Sequence, residues 1–565
     1  MLPASVLAEA KPHTAVYRMH KYFARRPWNI FRELISLHTS PGDLILDPFL
    51  GGGVTVVEAM RLKRRVVGVD VNPLAVYVTK NEVRPVQIEQ LEHAIEKVST
   101  NTKELIKSLY VTRCPQCKTT AHADWIEWNE SDNEITRLKF DCARCCSSGV
   151  KKAAQEDTEI ARRIDRRFNE LVEQHALWFP QTKIPPGDKT NSLITSGITH
   201  FHQLFTKRNL LALGILFKVI GQTDFANQDF LEFVISSCLK WSSRQSHLRG
   251  KIVEGWALHA YWIYPRSLEI NVWNTFERRA RAAIRGKHYS NEEIGKFCKF
   301  ASNFDELGEA ATCLLLNNSS TILRIPDNSI DAIITDPPYG GNVNYGELSD
   351  FWWVWLSRGH TIEKMNEVIV NKSQHKSLLD YEKTLAAIFT ECFRVLKPRK
   401  PLVSTFNSKD ARVVSAFIGA ISKSGFEIHS RGVIYQTPIR AYNTTFHAMQ
   451  VGAFVGDFIF TFTKPSNIQR NEKSTDIVDL TDFEHELNDL ITKNVDGMTE
   501  SQLREKTYKF LIPFIAEHSV TSPEACRNAA ELFEKKMRQQ SARFKHIRES
   551  IIKSRRRTFC KDSKL

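Results

Sequence analysis

Two strand-to-turn junctions, far apart in the chain, read as parts of one sheet and constrain the fold more than any other feature. At the first, the apolar stretch LILDPF runs into GGG and then into VTVVEAMRLKR, whose apolar spacing is helical. A second buried strand, RVVGVDV, and a second helix, PLAVYVTKNEV, follow. Strand, glycine turn, helix and strand in that order open a doubly wound α/β unit. The alternation stops from about Arg84 to Phe304 and returns at IDAIITDPPYGG, where an apolar strand meets a Pro/Gly turn. It continues through YEKTLAAIFTECFRVLK, PLVSTFN, VVSAFIGAISKSG, FEIHSRGVIYQ and DFIFTFTK. The expected fold class is therefore α/β: a doubly wound, Rossmann-like sheet interrupted by an insertion of roughly two hundred residues, too long for a loop and expected to fold by itself.

This reading divides the chain at residues 1–85 (first part of the α/β core), 86–304 (insertion, with a cysteine-bearing module at about 110–150), 305–465 (second part of the core) and 466–565 (a helical C-terminal appendage with a basic tail). No apolar run reaches membrane-spanning length, and the N-terminus lacks the apolar segment of a signal peptide, so the expected location is cytoplasmic. Among the 565 residues, 78 are basic and 64 acidic, a net charge of +14. Such an excess suits an anionic partner, nucleic acid being the commonest, as well as it suits a merely solvated basic tail. The odd number of cysteines, 11, without an export signal points to reduced thiols.

In the stretch Asp47–Thr55, DPFLGGGVT, glycines let the backbone turn tightly and approach a ligand. The helix behind them presents unpaired N–H groups. Asp70 closes the next strand, in VGVDVNP with Asn72, where a carboxylate accepts hydrogen bonds from ribose hydroxyls. The run Gly51, Gly52, Gly53 followed by Val54 is not the G-x-G-x-x-G of a dinucleotide site. It resembles motif I of amino-methyltransferases, F-x-G-x-G, carried by Phe49, Gly51 and Gly53.

The second junction carries DPPY, Asp336, Pro337, Pro338 and Tyr339. An exocyclic amine on a base is a weak nucleophile because its lone pair is delocalised into the ring. An acceptor for its N–H draws the nitrogen toward tetrahedral geometry and frees the pair. Asp336 supplies one such acceptor and the carbonyl of Pro337 a second. Pro-Pro stiffens the turn, and Tyr339 offers a face on which an extruded base can stack. Direct in-line methyl transfer then needs positioning and no covalent intermediate. The chain has no Pro-Cys dipeptide of the kind C5-cytosine methylation uses.

With these motifs the chain resembles the adenine-specific DNA methylases that contain a zinc-ribbon module. The resemblance spans most of residues 10 to 465 and rests on HKYFARRPWNIF, DPFLGGGVT, VGVDVNP, HFHQLFTKRNLLAL, YPRSLEINVWNTFERR and DPPYGGNVNYGELSDFWWVWL. It implies S-adenosyl-L-methionine as cofactor, double-stranded DNA with a flipped target base as substrate, and restriction–modification or anti-phage defence, with other defence subunits as partners. By the same resemblance Phe23, Arg25 and Pro27 lie near the methionine end of the cofactor. In LLNNSS, Asn317 or Asn318 stands where many amino-methyltransferases carry an acidic contact to the cofactor's adenine.

Cys114 and Cys117 form one C-x-x-C and Cys142 and Cys145 another, separated by residues 118–141, which read as a hairpin. Two such knuckles are the pattern of a zinc ribbon, and four thiolates close the shell, making a Zn2+ there structural. Cys146 is an extra thiol beside the set. CLKWSSRQSHLRGK, with Trp241, Arg244, His247 and Arg249, suits phosphate and base contacts as well as it suits a solvated helix face over a core tryptophan. FWWVWL after DPPY reads as core packing near the pocket mouth. Arg555, Arg556 and Arg557 would add non-specific phosphate attraction, and the terminal Ser563, Lys564 and Leu565, which spell a peroxisomal address, read as chance.

The function expected is methylation of adenine N6 in DNA, Asp at the first DPPY position favouring adenine over the N4 of cytosine. A tRNA guanine-N2 enzyme with a similar turn and a non-catalytic DNA-sensing subunit are the alternatives.

Overall fold

The computed structural model describes residues 9–308, 310–436, 456–466 and 478–562. Seven strands make the central sheet: β1 (Leu44–Asp47), β2 (Arg65–Val69), β3 (Cys313–Leu316), β4 (Ala332–Thr335), β5 (Pro401–Phe406), β6 (Glu427–Gln436) and β7 (Asp457–Thr463). Their spatial order is β3-β2-β1-β4-β5-β7-β6. The first five run parallel, and β7 is antiparallel to both its neighbours. The two junctions read from the sequence are therefore adjacent: β1 pairs with β4, Ile45 opposite Ala332 and Leu46 opposite Ile333. Both strands end at the same edge of the sheet, which is where open α/β sheets bind ligands.

Successive residues of a strand point to opposite faces, and here both faces are covered. Ile45, Val66, Ile334 and Val403 enter one core, while Leu44, Leu46, Val67, Ile333 and Leu402 enter the other. This explains why the strands read as unbroken apolar runs.

The first face is covered by helices Trp28–His38, Val54–Arg61 and Pro73–Val83 and by the inserted segment. That segment contains an antiparallel sheet of Val111–Arg113, Thr120–Asn129, Glu134–Cys142 and Ser147–Lys152, with Arg266–Ile270 added beside Thr120–Asn129. Its long helices, Ile88–Ser108, Lys207–Ile220 and Val272–Glu293, contribute Val98, Leu213 and Phe276 to the same core as Ile45. In place of a self-contained insertion, the segment thus shares one apolar core with the sheet, whose exposed face has to be buried against something.

The second face is covered by helices Leu378–Val395 and Ala411–Lys423 and by the C-terminal helices Thr481–Asn494, Glu500–His518 and Pro523–Asp562. Leu487, Leu503, Tyr508, Ile512, Phe533 and Met537 share a core with Leu402 and Phe460. The C-terminal helices are a layer of the fold, not a loose attachment. The side chains of Arg555, Arg556 and Arg557, and residues 563–565 altogether, lie outside the described residues. Among the described residues no helix is long and apolar enough to cross a membrane.

Candidate active site and metal centre

A cavity opens at the ends of β1, β2 and β4, the edge at which open α/β sheets take up ligands. Phe23, Arg25, Asp47, Phe49, Gly51, Asp70, Asn72, Asp336 and Pro338 all line it. The glycine turn and the DPPY turn thus share one space, although Asp47 and Asp336 lie on opposite sides of the long insertion.

The glycine turn is built by close approach. Gly51 and Gly53 have φ of +47° and +74°, where L side chains are strained. A Cβ on Gly53 would lie 2.4 Å from Thr79 Oγ1, and one on Gly52 would lie 2.5 Å from Arg25 Cγ. Asp70 accepts from the N–H groups of Gly51 and Asn72, each at 2.8 Å. Its carboxylate is thereby aimed along the turn, and burial pushes it up to about 6 against those hydrogen bonds. Asn72 caps helix Pro73–Val83 by accepting from Leu74 N, and its amide donates to Tyr22 and Ser349.

Arg25 sits beneath this turn. It donates to the carbonyls of Gly52 at 3.0 Å, Tyr17 at 2.7 Å and His20 at 3.0 Å, and pairs with buried Glu82 at 2.5 Å. These bonds brace the turn, and Arg25 also lines the cavity. Phe23 is buried edge-on to Tyr345 and Trp352. Pro27 caps helix Trp28–His38 and does not line the cavity. Asn318 is exposed and also outside the lining; Ser319 and Ser320 line the cavity, and Asn317 donates to the Asp70 carbonyl.

At the other end, Asp336 Oδ1 accepts from Thr405 at 2.5 Å and from the Tyr339 hydroxyl, and Oδ2 accepts from Arg26 Nε at 2.8 Å. Burial pushes Asp336 up to about 6, with Arg26 pulling the other way. Arg26 also reaches both oxygens of Asp457 at 3.0 Å, and its guanidinium lies 4.8 Å from the centre of the Tyr339 ring. The Pro338 carbonyl accepts from Tyr381 at 2.6 Å, which pins the Pro-Pro turn. Arg26, Thr405 and Asp457 were not singled out from the sequence. Arg26 stands next to Arg25 in a stretch without periodic pattern, and its partners lie 310 and 431 residues away.

The four thiol sulfurs of Cys114, Cys117, Cys142 and Cys145 lie within 4.8 Å of one another. Cys114 and Cys145 approach to 3.6 Å, as do Cys117 and Cys142. A tetrahedral zinc with ~2.3 Å bonds sets its sulfurs about 3.8 Å apart, so this donor set fits that ion. Cys146 turns away, with φ +53° and its sulfur toward the Ala143 carbonyl.

Of the four residues considered for DNA contact, Arg244 is tied to Glu130 and to the Gln203 carbonyl, His247 stacks on Tyr264 at 3.7 Å, and Trp241 packs against the small core of Trp125, Leu268 and Ile270. Only Arg249, on an outer hairpin and paired with Glu254 at 3.1 Å, keeps most of its side chain in solvent. In FWWVWL, Phe351, Trp352, Val354 and Trp355 are fully buried.

Residues 6–81, which contain the glycine turn, match a family described as DNA methylase. The chain is 26% identical over 108 residues to type II methyltransferase M.MjaII of Methanocaldococcus jannaschii, an overlap of 19% of this chain and 20% of that protein. It is 29% identical over 354 residues to type II methyltransferase M.MvaI of Kocuria varians, covering 60% of this chain and 57% of that one. To type II methyltransferase M2.DpnII of Streptococcus pneumoniae it is 44% identical over 50 residues, 9% and 19% of the two chains. These alignments span between a fifth and just over half of the relatives' lengths.

Proposed function

We propose, from its similarity to DNA methylases over residues 6–81 and to type II methyltransferases, that this protein is an S-adenosylmethionine-dependent DNA methyltransferase acting on the N6 amine of adenine, in restriction–modification or anti-phage defence. The observation that carries the reading is the single cavity walled by the Gly51–Asp70 turn at one end and by Asp336 at the other. Bound S-adenosylmethionine supplies an electrophilic methyl group. The chain's own residues do the rest. Gly51 and Gly53 leave room for backbone approach, Asp70 receives ribose hydroxyls, and Phe23 and Tyr345 wall the far end with apolar surface that excludes water. Asp336, once ionised, accepts an N–H of the target amine, with the Pro337 carbonyl as second acceptor, and the Tyr339 ring offers a flat face to a flipped base. The four cysteines would hold one Zn2+, which closes the ribbon and takes no part in the chemistry.

The test is transfer of tritiated methyl from S-adenosylmethionine to genomic DNA from a host lacking the protein, followed by digestion to nucleosides. Label in N6-methyladenine, lost in Asp336→Ala, is the expected result. Label only in N4-methylcytosine would replace adenine by cytosine. Label in RNA alone would overturn the DNA substrate.

A further inference from the structure

Arg26 holds one carboxylate oxygen of Asp336, the residue read as the amine acceptor. Its Nε–H points at Asp336 Oδ2 at 2.8 Å, its Nη2 donates to the Tyr339 hydroxyl, and its central carbon lies 4.8 Å from the centre of that ring. A purine amine is also a planar amidine-type N–H donor. It would need the same two partners, an acceptor oxygen on Asp336 and the aromatic face beside it. The other Asp336 oxygen is already taken by Thr405 and Tyr339. One acceptor site of Oδ2 is left, directly beside the guanidinium, so a base meets Asp336 in competition with Arg26.

Asp457 gives Arg26 somewhere to remain. Nη1 contacts both Asp457 oxygens at 3.0 Å, independently of the Nε contact to Asp336. Rotation about the outer side-chain bonds can release Asp336 while keeping one ion pair, so the arginine need not enter solvent alone. Leaving also suits the reaction electrostatically, because the attacking amine gains positive charge as it takes the methyl group, and a guanidinium beside it would oppose that charge.

We infer that Arg26 is a stand-in for the target amine, filling the base site between turnovers and yielding to a flipped base by swinging onto Asp457. Arg26 is thus a positioning residue whose displacement sets how readily a base is admitted. This inference rests on the reading of Asp336 as the amine acceptor.

The experiment compares the wild type with Arg26→Ala and with the length-preserving Arg26→Gln, each shown to melt as a folded protein. One arm measures adenosine binding by calorimetry with the cofactor end saturated by S-adenosylhomocysteine. A protein whose site is self-occupied binds more weakly by the fraction of time the site is free, so both variants should gain about tenfold or more in affinity. Guanidinium ion at low millimolar concentration should compete with adenosine in Arg26→Ala and leave the wild type unaffected. The other arm measures methyl transfer to genomic DNA, where KM should fall in the variants and kcat should change less. Unchanged adenosine affinity in both variants would overturn the inference. So would a loss of kcat in Arg26→Ala that guanidinium restores, since Arg26 would then serve the reaction itself. Absence of methyl transfer in the wild type would instead sink the proposed activity, and the adenosine arm would still decide the role of Arg26.

Discussion

The Thr335 hydroxyl donates to Asp47 Oδ1 at 2.6 Å, joining the residue before Asp336 to the last residue of β1. Both side chains are buried, and burial pushes Asp47 up to about 6 while Thr335 and the Phe49 N–H hold it down. This hydrogen bond adds to the β1–β4 pairing in setting the spacing between the glycine turn and the DPPY turn. Thr335→Val keeps the shape and deletes the donor, leaving a buried carboxylate short of a partner. It should cost about 1–3 kcal/mol in chemical denaturation and weaken binding of S-adenosylhomocysteine. Thr335→Ser should recover most of both.

Gly53 carries two separate constraints, a φ of +74° and the approach of Thr79 Oγ1 to 2.4 Å of where a Cβ would sit. Gly53→Ala should destabilise by roughly 1–2 kcal/mol for the backbone alone, with further loss from the clash. Adding Thr79→Ala should return the steric share and leave the backbone share. Equal stability of Gly53→Ala and the wild type by thermal melting would show that the turn can relax.

Much of this site was legible because short range suffices for it. Strand, glycine turn and acidic strand end lie within residues 44–70, and DPPY follows its strand directly, so period and turn chemistry locate both. The cysteine spacing likewise placed four sulfurs together, and the structure leaves Cys146 out of the set. What was not legible depends on pairings across the chain. Asn317 or Asn318 was expected in the cofactor site from the stretch LLNNSS alone; these residues follow the end of β3, where no strand period fixes which side chain turns inward, and Ser319 and Ser320 line the cavity. Arg25 and Arg26 are neighbours of one residue type; only tertiary packing sends one beneath the glycine turn and the other to Asp336. The C-terminal helices looked peripheral because their polar faces dominate the composition, while Leu503, Tyr508 and Phe533 are buried over the sheet.

Asp336 and Asp70 both sit at about 6 because burial disfavours their charged forms. Between their ordinary value of 3.8 and about 6 the unfolded chain sheds these protons while the folded protein keeps them. Stability should therefore fall as pH rises through that window and level off above it. Activity should run the other way, since Asp336 must be ionised to accept the amine. In kcat/KM, methyl transfer should decline as pH drops below about 6. Asp336→Asn should leave only a weak, pH-independent residue of activity, and a retained acid limb in that variant would move the titration to another group.

The four clustered thiols of Cys114, Cys117, Cys142 and Cys145 adjoin strands that reach the core over the sheet. Strand Thr120–Asn129, which begins just after the first knuckle, pairs with Arg266–Ile270, and the next residue, Asn271, caps helix Val272–Glu293 while donating to the Ala123 carbonyl at 2.9 Å. That helix packs in the core that covers the sheet. Loss of metal should accordingly unsettle the insertion as a whole. Elemental analysis should find about one zinc per chain, retained in Cys146→Ser and lost in Cys114→Ser. Cys114→Ser should lower the unfolding midpoint and raise hydrogen exchange through residues 120–142 and 266–293, with β1 and β4 protected longest. Full zinc content in Cys114→Ser would exclude that thiol from the shell.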